Sequence, residues 1–247
     1  MVFNTIQLSR PVSDQFDTSG SGSVTNSKDP KPLVNSTITP NSRKMNFSDI
    51  GDSFAKDDIK KLFEMRAIKG YPDGTFRPND KITRAEFLAI TFRALDIAVD
   101  ENAKTDFTDI PAEAQWMVGY VAKAKELGIV QGQVIDGKLK FRPNDGITRA
   151  EALAILLKTK KISVDENAKT DFADIPAEAQ WMVGYVAKAK ELGIVQGQVI
   201  DGKLKFRPND GITRAEASRI VVKAIGLEDG KKSGTGAAVS TPEVPAE

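Results

Sequence analysis

Residues 147–157 read Ile-Thr-Arg-Ala-Glu-Ala-Leu-Ala-Ile-Leu-Leu, and the first five of these letters occur again at 82–86 and 212–216. In each copy, Thr precedes Glu by three residues, which is the pattern of a helix capping box. The Thr side chain accepts a hydrogen bond from the Glu N–H, and the Glu carboxylate accepts one from the Thr N–H. The sequence therefore predicts three helices that begin with the capping pairs Thr83/Glu86, Thr148/Glu151 and Thr213/Glu216.

The Arg inside each copy calls for a separate explanation. A cation in the first turn of a helix opposes the helix dipole and costs a few tenths of a kcal/mol or more. An ion pair with a nearby Asp or Glu would explain it. So would an anion site, in which the guanidinium and free helix N–H groups bind one ligand. Both readings stay open at this point for Arg84, Arg149 and Arg214.

The motif belongs to a longer internal repeat. Residues 99–152 and 164–217 are identical at 53 of 54 positions, and Thr108 against Ala173 is the one difference. A diverged copy precedes them. Recent duplication, engineering and an assembly artefact in the sequence all explain such near-identity. We divide the chain into repeats over 47–98, 99–163 and 164–227, which together form one pseudo-trimeric domain over 47–227.

Each repeat is predicted to be a helix, a hairpin loop and a second helix. In the second repeat, Asp109-Ile110-Pro111 is interpreted as the start of the first helix, with an acidic cap and Pro near the first turn. Gly128 suits the left-handed residue after its end. Asp136-Gly137 between short apolar runs indicates a hairpin. The fold class is therefore mainly α, since a pair of short helices cannot bury its own apolar face but three pairs can share one.

The regions outside the repeats differ in composition. Residues 1–46 contain 24 Ser, Thr, Asn, Pro or Gly, and are predicted to be a flexible leader or linker. Residues 228–247 are predicted to be a disordered tail. Met1–Arg10 lacks the apolar stretch of a signal peptide, and no apolar run approaches the ~20 residues that span a bilayer.

Composition narrows the possible chemistry. The chain has 247 residues with no Cys and no His, so thiolate and imidazole catalysis and ordinary zinc sites are excluded. A net charge of +1 argues against nucleic acid as a partner. Asp145-Gly146 resembles part of a calcium loop, but Phe141 and Pro143 stand where ligands are needed. We predict no catalytic residue, no cofactor and no metal site.

Several motifs together resemble the S-layer homology (SLH) module. These are Phe-x-Asp-Ile, a Trp-containing helix, Gly-Ile-Val, Gly70–Asn79 (Gly-Tyr-Pro-Asp-Gly-Thr-Phe-Arg-Pro-Asn) and Ile-Thr-Arg-Ala-Glu. The resemblance covers roughly 47–227. It implies a pseudo-threefold, three-lobed bundle on the cell surface that binds a secondary cell-wall polysaccharide non-covalently in grooves between lobes, often through a pyruvylated sugar.

The resemblance also assigns roles to residues. It implies that the motif arginines bind the anion, that two Trp side chains face a sugar ring, and that three Asp and three Gly line the grooves. Core packing for Trp and helix capping for Asp are the alternatives. In the first repeat, Phe54 stands near the Trp position. In the second repeat, the longer loop at 133–141 replaces the loop that the first repeat has at 71–76. The residues are Arg84, Arg149, Arg214, Trp116, Trp181, Asp49, Asp109, Asp174, Gly70, Gly132 and Gly197.

A second function remains open from the sequence. In it, the three lobes assemble with copies of themselves or with another surface protein, and the motif arginines form internal salt bridges. Other surface-layer subunits or a fused cargo domain are then further partners. Membrane insertion is not expected in either reading. The anchor reading expects Phe141, Ile155 and Trp116 to be mostly buried, and the arginines to face grooves between lobes.

Overall fold

A computed structural model describes residues 47–227. The leader predicted over 1–46 and the tail predicted over 228–247 lie outside this range. The described part is mostly helical, which confirms the predicted fold class. Its helices are α1 (Lys56–Glu64), α2 (Arg84–Ala94), α3 (Val118–Glu126), α4 (Arg149–Thr159), α5 (Gln180–Glu191) and α6 (Arg214–Ile225), with a 3-10 turn at Gln115–Met117 before α3.

Two short antiparallel hairpins complete the second and third repeats. Strand β1 (Gln133–Ile135) pairs with β2 (Lys138–Lys140), and β3 (Gln198–Ile200) pairs with β4 (Lys203–Lys205). Asp136 and Gly137 both have positive φ, at 52° and 70°, as a two-residue turn of the I′ type requires. The first repeat has only a tight turn here, closed by the hydrogen bond from the Tyr71 N–H to the Thr75 carbonyl.

The three repeats meet at a pseudo-threefold axis. Ile82, Ile147 and Ile212 lie there with no exposed surface. Each donates its N–H to the next carbonyl around a closed ring: Ile82 to Ile212, Ile212 to Ile147 and Ile147 to Ile82, at 3.1–3.2 Å. The residue that precedes each capping box therefore forms the centre of the domain.

We call α2, α4 and α6, which follow the capping boxes, the inner helices, and α1, α3 and α5 the outer helices. Each inner helix packs on the outer helix of the next repeat. Thus α2 contacts α3, α4 contacts α5, and α6 returns to contact α1. The inner helices also contact one another, and Phe141 and Ile155 are buried as predicted. A lobe consequently combines two repeats. No helix in 47–227 has the length and apolar character needed to cross a membrane.

The start of the outer helix is where the sequence prediction was wrong. The second repeat does not become helical at Asp109-Ile110-Pro111, but at the 3-10 turn Gln115–Met117 followed by α3. The physical reason is that both carboxylate oxygens of Asp109 are hydrogen-bonded to backbone groups of a distant loop. They accept from the N–H groups of Phe141 and Arg142 at 2.9 and 2.7 Å. Asp109 therefore caps no helix.

Candidate functional site

The inner helices begin with the capping box that the sequence predicts. In α2, Thr83 Oγ1 accepts from the Glu86 N–H at 3.2 Å, and Glu86 Oε2 accepts from the Thr83 N–H at 2.9 Å. The same reciprocal pair is present at Thr148/Glu151 and at Thr213/Glu216. Three inner helices thus begin in the same way around the axis.

The first N–H groups of these helices already have partners. The N–H groups of Arg84 and Ala85 donate to the carbonyls of Asp145 and Pro143, in the loop of the next repeat. Equivalent bonds join Arg149 to Asp210, and Arg214 to Asp80. The expectation of free helix N–H groups beside each Arg is therefore wrong, because the neighbouring repeat uses them to hold the ring together.

The motif arginines face the capping-box glutamates of the next repeat. Arg84 Nη1 lies 2.9 Å from Glu151 Oε1, and Arg149 Nη2 lies 2.6 Å from Glu216 Oε1. Each glutamate thus uses one oxygen to cap its own helix and the other to bind the preceding repeat. Charge-assisted bonds of this kind are shorter and stronger than neutral ones.

This arrangement changes the titration of Glu216. Burial raises the pKa of its carboxyl, but this is outweighed by the hydrogen bonds from Arg149 and from the Thr213 N–H together with nearby positive charge. The charges of Arg149 and Lys81 act in the same direction. The pKa of Glu216 is therefore lowered from its ordinary value of 4.5, so the ionised form is favoured at neutral pH.

Arg214 has a different environment from the other two motif arginines. Its side chain is 4% exposed, and Nη1 is 4.0 Å from Glu86 Oε1, an oxygen that is buried without a hydrogen bond. Nε donates to the Phe76 carbonyl at 2.9 Å, and the guanidinium lies over the rings of Phe76 and Tyr71. Arg214 is thus enclosed by protein groups.

The three candidate Asp residues hold the loop that precedes the inner helix. Asp49 and Asp174 repeat the contacts of Asp109, accepting from the N–H groups of Phe76 and Arg77, and of Phe206 and Arg207. The Arg of each loop has a φ near 60°, which is unusual for a residue with a side chain. The carboxylates therefore stabilise an uncommon backbone geometry, a role that capping did not predict.

The three candidate Gly residues allow close packing of an aromatic ring. A Cβ on Gly132 would lie 2.2 Å from Phe107 Cε1 and 2.8 Å from the Lys140 carbonyl oxygen. Gly70 and Gly197 face the same obstacle from Phe47 and Phe172. Gly132 also lines the cavity described next. These glycines are required because a ring and a carbonyl occupy the space of a side chain.

A cavity of about 220 Å³ lies beside Arg84, and we call it the Arg84 groove. Arg84 comes from the first repeat, and Trp181 at its edge comes from the third. The second repeat supplies most of the remaining lining, including Gly132, Gln133, Lys140, Phe141, Arg142, Glu151, Ala154, Ile155 and Lys158. The structure thus brings Arg84, Gly132 and Trp181 of the predicted set together in a groove.

The two Trp residues differ in exposure although their local sequences match. Trp181 is 53% exposed at the edge of the Arg84 groove. Trp116 is only partly exposed, which confirms the expectation that it is mostly buried. Its ring packs against the core and meets Tyr120 edge-on at 6.5 Å. An exposed aromatic face beside a groove is suited to stacking on a sugar ring, whereas a mostly buried ring is mainly a packing element.

The Arg84 groove is positively charged. Four cationic side chains line it, against the single carboxylate of Glu151. Arg142 pairs with Asp145, its Nε 2.9 Å from Oδ2. Sequence reasoning missed Lys140, Arg142 and Lys158, although the run Lys140-Phe141-Arg142 beside a predicted groove loop was a usable signal. Fixed positive charge in a concave site raises the local concentration of anions.

The surface that corresponds to the groove beside Arg149 is bridged by an additional arginine. Arg219 occupies the position of Ala154, and its Nε lies 3.0 Å from Asp58 Oδ2. Its guanidinium also lies over the ring of Phe54, which stands at the Trp position, and hydrogen-bonds to the Phe54 carbonyl. We call this the Arg149 surface. A large side chain and its partners therefore cover the place where the Arg84 groove has a methyl group.

Comparison with known proteins adds a family match. Three segments, residues 46–88, 106–153 and 171–218, match the S-layer homology domain, one segment for each repeat. No group of three or more Asp, Glu, His or Cys that could hold a metal ion is found within 47–227.

Individual relatives include both enzymes and a surface protein. The chain is 37% identical over 179 residues to an amylopullulanase of Thermoanaerobacterium thermosulfurigenes, covering 71% of this chain and 9% of the relative. It is 32% identical over 209 residues to exoglucanase XynX of Acetivibrio thermocellus, covering 83% and 18%. It is 34% identical over 170 residues to an S-layer protein of Bacillus licheniformis, covering 68% and 18%. The chain thus spans less than a fifth of each of these three relatives.

Proposed function

Because this chain belongs to the S-layer homology family, we propose that residues 47–227 attach their protein to the bacterial cell wall by binding an anionic wall polysaccharide in the Arg84 groove. The binding is non-covalent. The family match across all three repeats and the S-layer relative indicate a cell-surface location. The matched relatives that are enzymes are much longer than this chain, so we propose an anchoring role without catalysis.

The observation that carries the proposal is the combination of charge and aromatic surface in one cavity. Four cationic side chains surround a space large enough for about one sugar ring, and Trp181 offers an exposed face at its edge. A carboxylate on a sugar would meet the cations while the ring stacks on the indole. A pyruvyl ketal on a sugar provides such a carboxylate, and it is the form we propose.

The other two motif arginines are less suited to a ligand. Arg214 is 4% exposed, and Arg219 bridges the Arg149 surface. We therefore propose one principal binding groove in this domain. The affinity of several domains for one polymer would then come from effective concentration rather than from several grooves in each.

A structural or self-assembling module is the second candidate. The ion pairs of Arg84 with Glu151 and of Arg149 with Glu216 favour it, since they give the arginines a role inside the domain. Both candidates share these pairs, so loss of stability in an arginine variant does not separate them. A residue that contacts the groove without supporting the ring is needed for that purpose, and Trp181 is such a residue.

The test is co-sedimentation of the full chain with sacculi from the three organisms named above, before and after chemical removal of their secondary polymer. We expect binding that requires the polymer and that weakens in Trp181→Ala, with Trp116→Ala as the matched control in the neighbouring repeat. Sedimentation velocity on the same samples measures self-association. Concentration-dependent oligomers with no wall binding would reject the anchor and favour the assembly module.

A further inference from the structure

The motif arginine in the Arg84 groove already uses two of its three guanidinium nitrogens on protein groups. Arg84 Nη1 pairs with Glu151 and Nε donates to the Phe141 carbonyl at 3.2 Å, while the guanidinium lies over the Phe141 ring. Its side chain is 13% exposed. A ligand anion would share Arg84 with the carboxylate of Glu151, which also caps α4, and would reach the guanidinium only through its remaining N–H donors. Arg84 therefore acts first as a positioning residue that joins α2 to the loop before α4.

Two other cations of the groove are not committed in this way. Lys140, at the end of β2, and Lys158, in the last turn of α4, both line the cavity. Within 47–227 neither forms an ion pair with a carboxylate, and the contact of Lys158 is with the ring of Tyr185, 5.8 Å from Nζ. Their positive charges are thus available to a ligand in the cavity.

The equivalent residues in the other repeats are engaged with protein groups. Arg93 corresponds to Lys158 and donates from Nε to the Tyr120 hydroxyl at 2.7 Å. Lys223 also corresponds to it and donates to the Gly193 carbonyl at 3.0 Å. Lys205 corresponds to Lys140 and lies 3.4 Å from Asp201 Oδ2. The pair of uncommitted lysines is therefore a property of the Arg84 groove.

We propose that Lys140 and Lys158, rather than the motif Arg84, make the charged contacts with the anionic groups of the polysaccharide. This inference rests on the proposed function and assigns its specificity. A lysine ammonium is a compact charge with three donors that turns to suit its acceptor, whereas a guanidinium held by a carboxylate is fixed. The two lysines come from different elements, so the groove is suited to a segment with negative charge on two sides, or to one carboxylate held between them.

The experiment compares the full chain carrying Lys140→Ala with Lys158→Ala against its matched control, Lys205→Ala with Lys223→Ala. The probe is sacculi that retain their secondary polymer, titrated at several salt concentrations. We expect the first double variant to bind at least about tenfold more weakly, the loss of roughly one charge-assisted contact. Its binding should also depend less on salt, because fewer charges meet the ligand. The control should bind like the unmodified chain.

Two further measurements separate contact from structure. Lys140→Arg with Lys158→Arg should retain most of the binding, because the charge is kept. The thermal unfolding temperature of the Lys140/Lys158 variants should match that of the unmodified chain, since within 47–227 neither side chain forms an ion pair with a carboxylate.

The possible failures are distinguishable. Absence of binding by the unmodified chain to any of the sacculi would reject the proposed function itself. Unchanged binding and salt dependence in the Lys140/Lys158 double variant, with binding lost in a folded Arg84→Gln variant, would leave the anchor in place. That result would return the anion contact to the motif arginine and overturn this inference.

Discussion

The Arg84 groove and the surroundings of Arg214 are built from the same motif, yet one is a cavity and the other is filled. In both, the arginine Nε donates to the carbonyl of a buried Phe and the guanidinium faces a capping-box glutamate of another repeat. Beside Arg214, however, Tyr71 stands where the Arg84 groove has Gln133, and its ring lies against the guanidinium. An aromatic ring therefore lies against the guanidinium of Arg214, at the position where the Arg84 groove has a shorter polar side chain.

This difference shows that the residues of one repeat alone do not determine whether a groove forms beside its arginine. Residues 99–152 and 164–217 are identical at 53 of 54 positions, yet Trp181 is exposed and Trp116 is mostly buried. Trp181 lies at the start of the outer helix α5, and Trp116 in the 3-10 turn before α3; each outer helix packs against the inner helix of the preceding repeat, so the neighbours come from a different sequence. For Trp116 the facing helix is α2, and for Trp181 it is α4.

The largest expected effect concerns the axis that all three surfaces share. Ile147→Ala removes a side chain with no exposed surface, so we expect the free energy of unfolding to fall by about 3–4 kcal/mol. Ile82→Ala and Ile212→Ala should lower the free energy of unfolding by similar amounts if the three repeats are equivalent at the axis. Urea unfolding followed by circular dichroism gives these values. A loss confined to one of the three would break the pseudo-threefold description.

The next effect concerns the Asp that holds each loop. Asp109→Ala leaves the N–H groups of Phe141 and Arg142 without an acceptor, so we expect a loss of about 2–3 kcal/mol in unfolding free energy. Asp174→Ala in the third repeat is the matched comparison. Wall binding should fall further in Asp109→Ala, whose loop lines the Arg84 groove. Equal binding by both folded variants would contradict the assignment of that groove.

The two Trp residues should separate stability from binding. We expect Trp116→Ala to lower the unfolding free energy by about 2 kcal/mol, because a mostly buried ring loses its contacts, and Trp181→Ala by less than about 1 kcal/mol. Sacculus binding should show the opposite order. Differential scanning calorimetry and co-sedimentation of the same preparations measure both. A Trp116→Ala variant that is stable but fails to bind would place the sugar on the other lobe.

The Arg149–Glu216 pair should give a defined dependence on pH. The pKa of Glu216 is lowered in the folded protein, so its contribution to stability is present above the ordinary value of 4.5 and is lost as the pH falls through the lowered value. Glu216→Gln keeps an oxygen for the Thr213 N–H but removes the charge. We expect it to cost up to about 1 kcal/mol near neutral pH. That difference should shrink in urea titrations below the carboxyl range, and a constant difference would argue against the ion pair.

The smallest expected effect concerns the difference between the Arg84 groove and the Arg149 surface. Arg219→Ala gives the Arg149 surface the residue of the Arg84 groove, and removes an ion pair whose arginine is 41% exposed. We expect a loss of about 1 kcal/mol or less in stability. The amount of polymer bound per chain should rise if Arg219 is what closes this surface. An unchanged stoichiometry by calorimetric titration with released polymer would show that removing Arg219 does not open this surface.

Much of the frame could be predicted from local sequence. The capping boxes, the Asp136-Gly137 turn and the left-handed Gly128 at φ 68° follow from interactions within a few residues, and the structure contains each of them. Burial of Ile155 follows from apolar spacing along α4 in the same way. The start of the outer helix could not be predicted, because Asp109 is bound to a loop more than thirty residues away.

The sequence by itself thus determined the repeats, their helices and their turns, and it placed an arginine at the start of every inner helix. Only the tertiary structure decided what each arginine faces. The next repeat supplies the carbonyls that accept from the first N–H groups of an inner helix, and also the glutamate that pairs with its arginine. At the Arg84 groove, the third repeat supplies Trp181 at the edge. Identical local sequences therefore acquire different exposure and charge, since the contacts that set them join residues about 60 or more positions apart and depend on which neighbour the ring supplies.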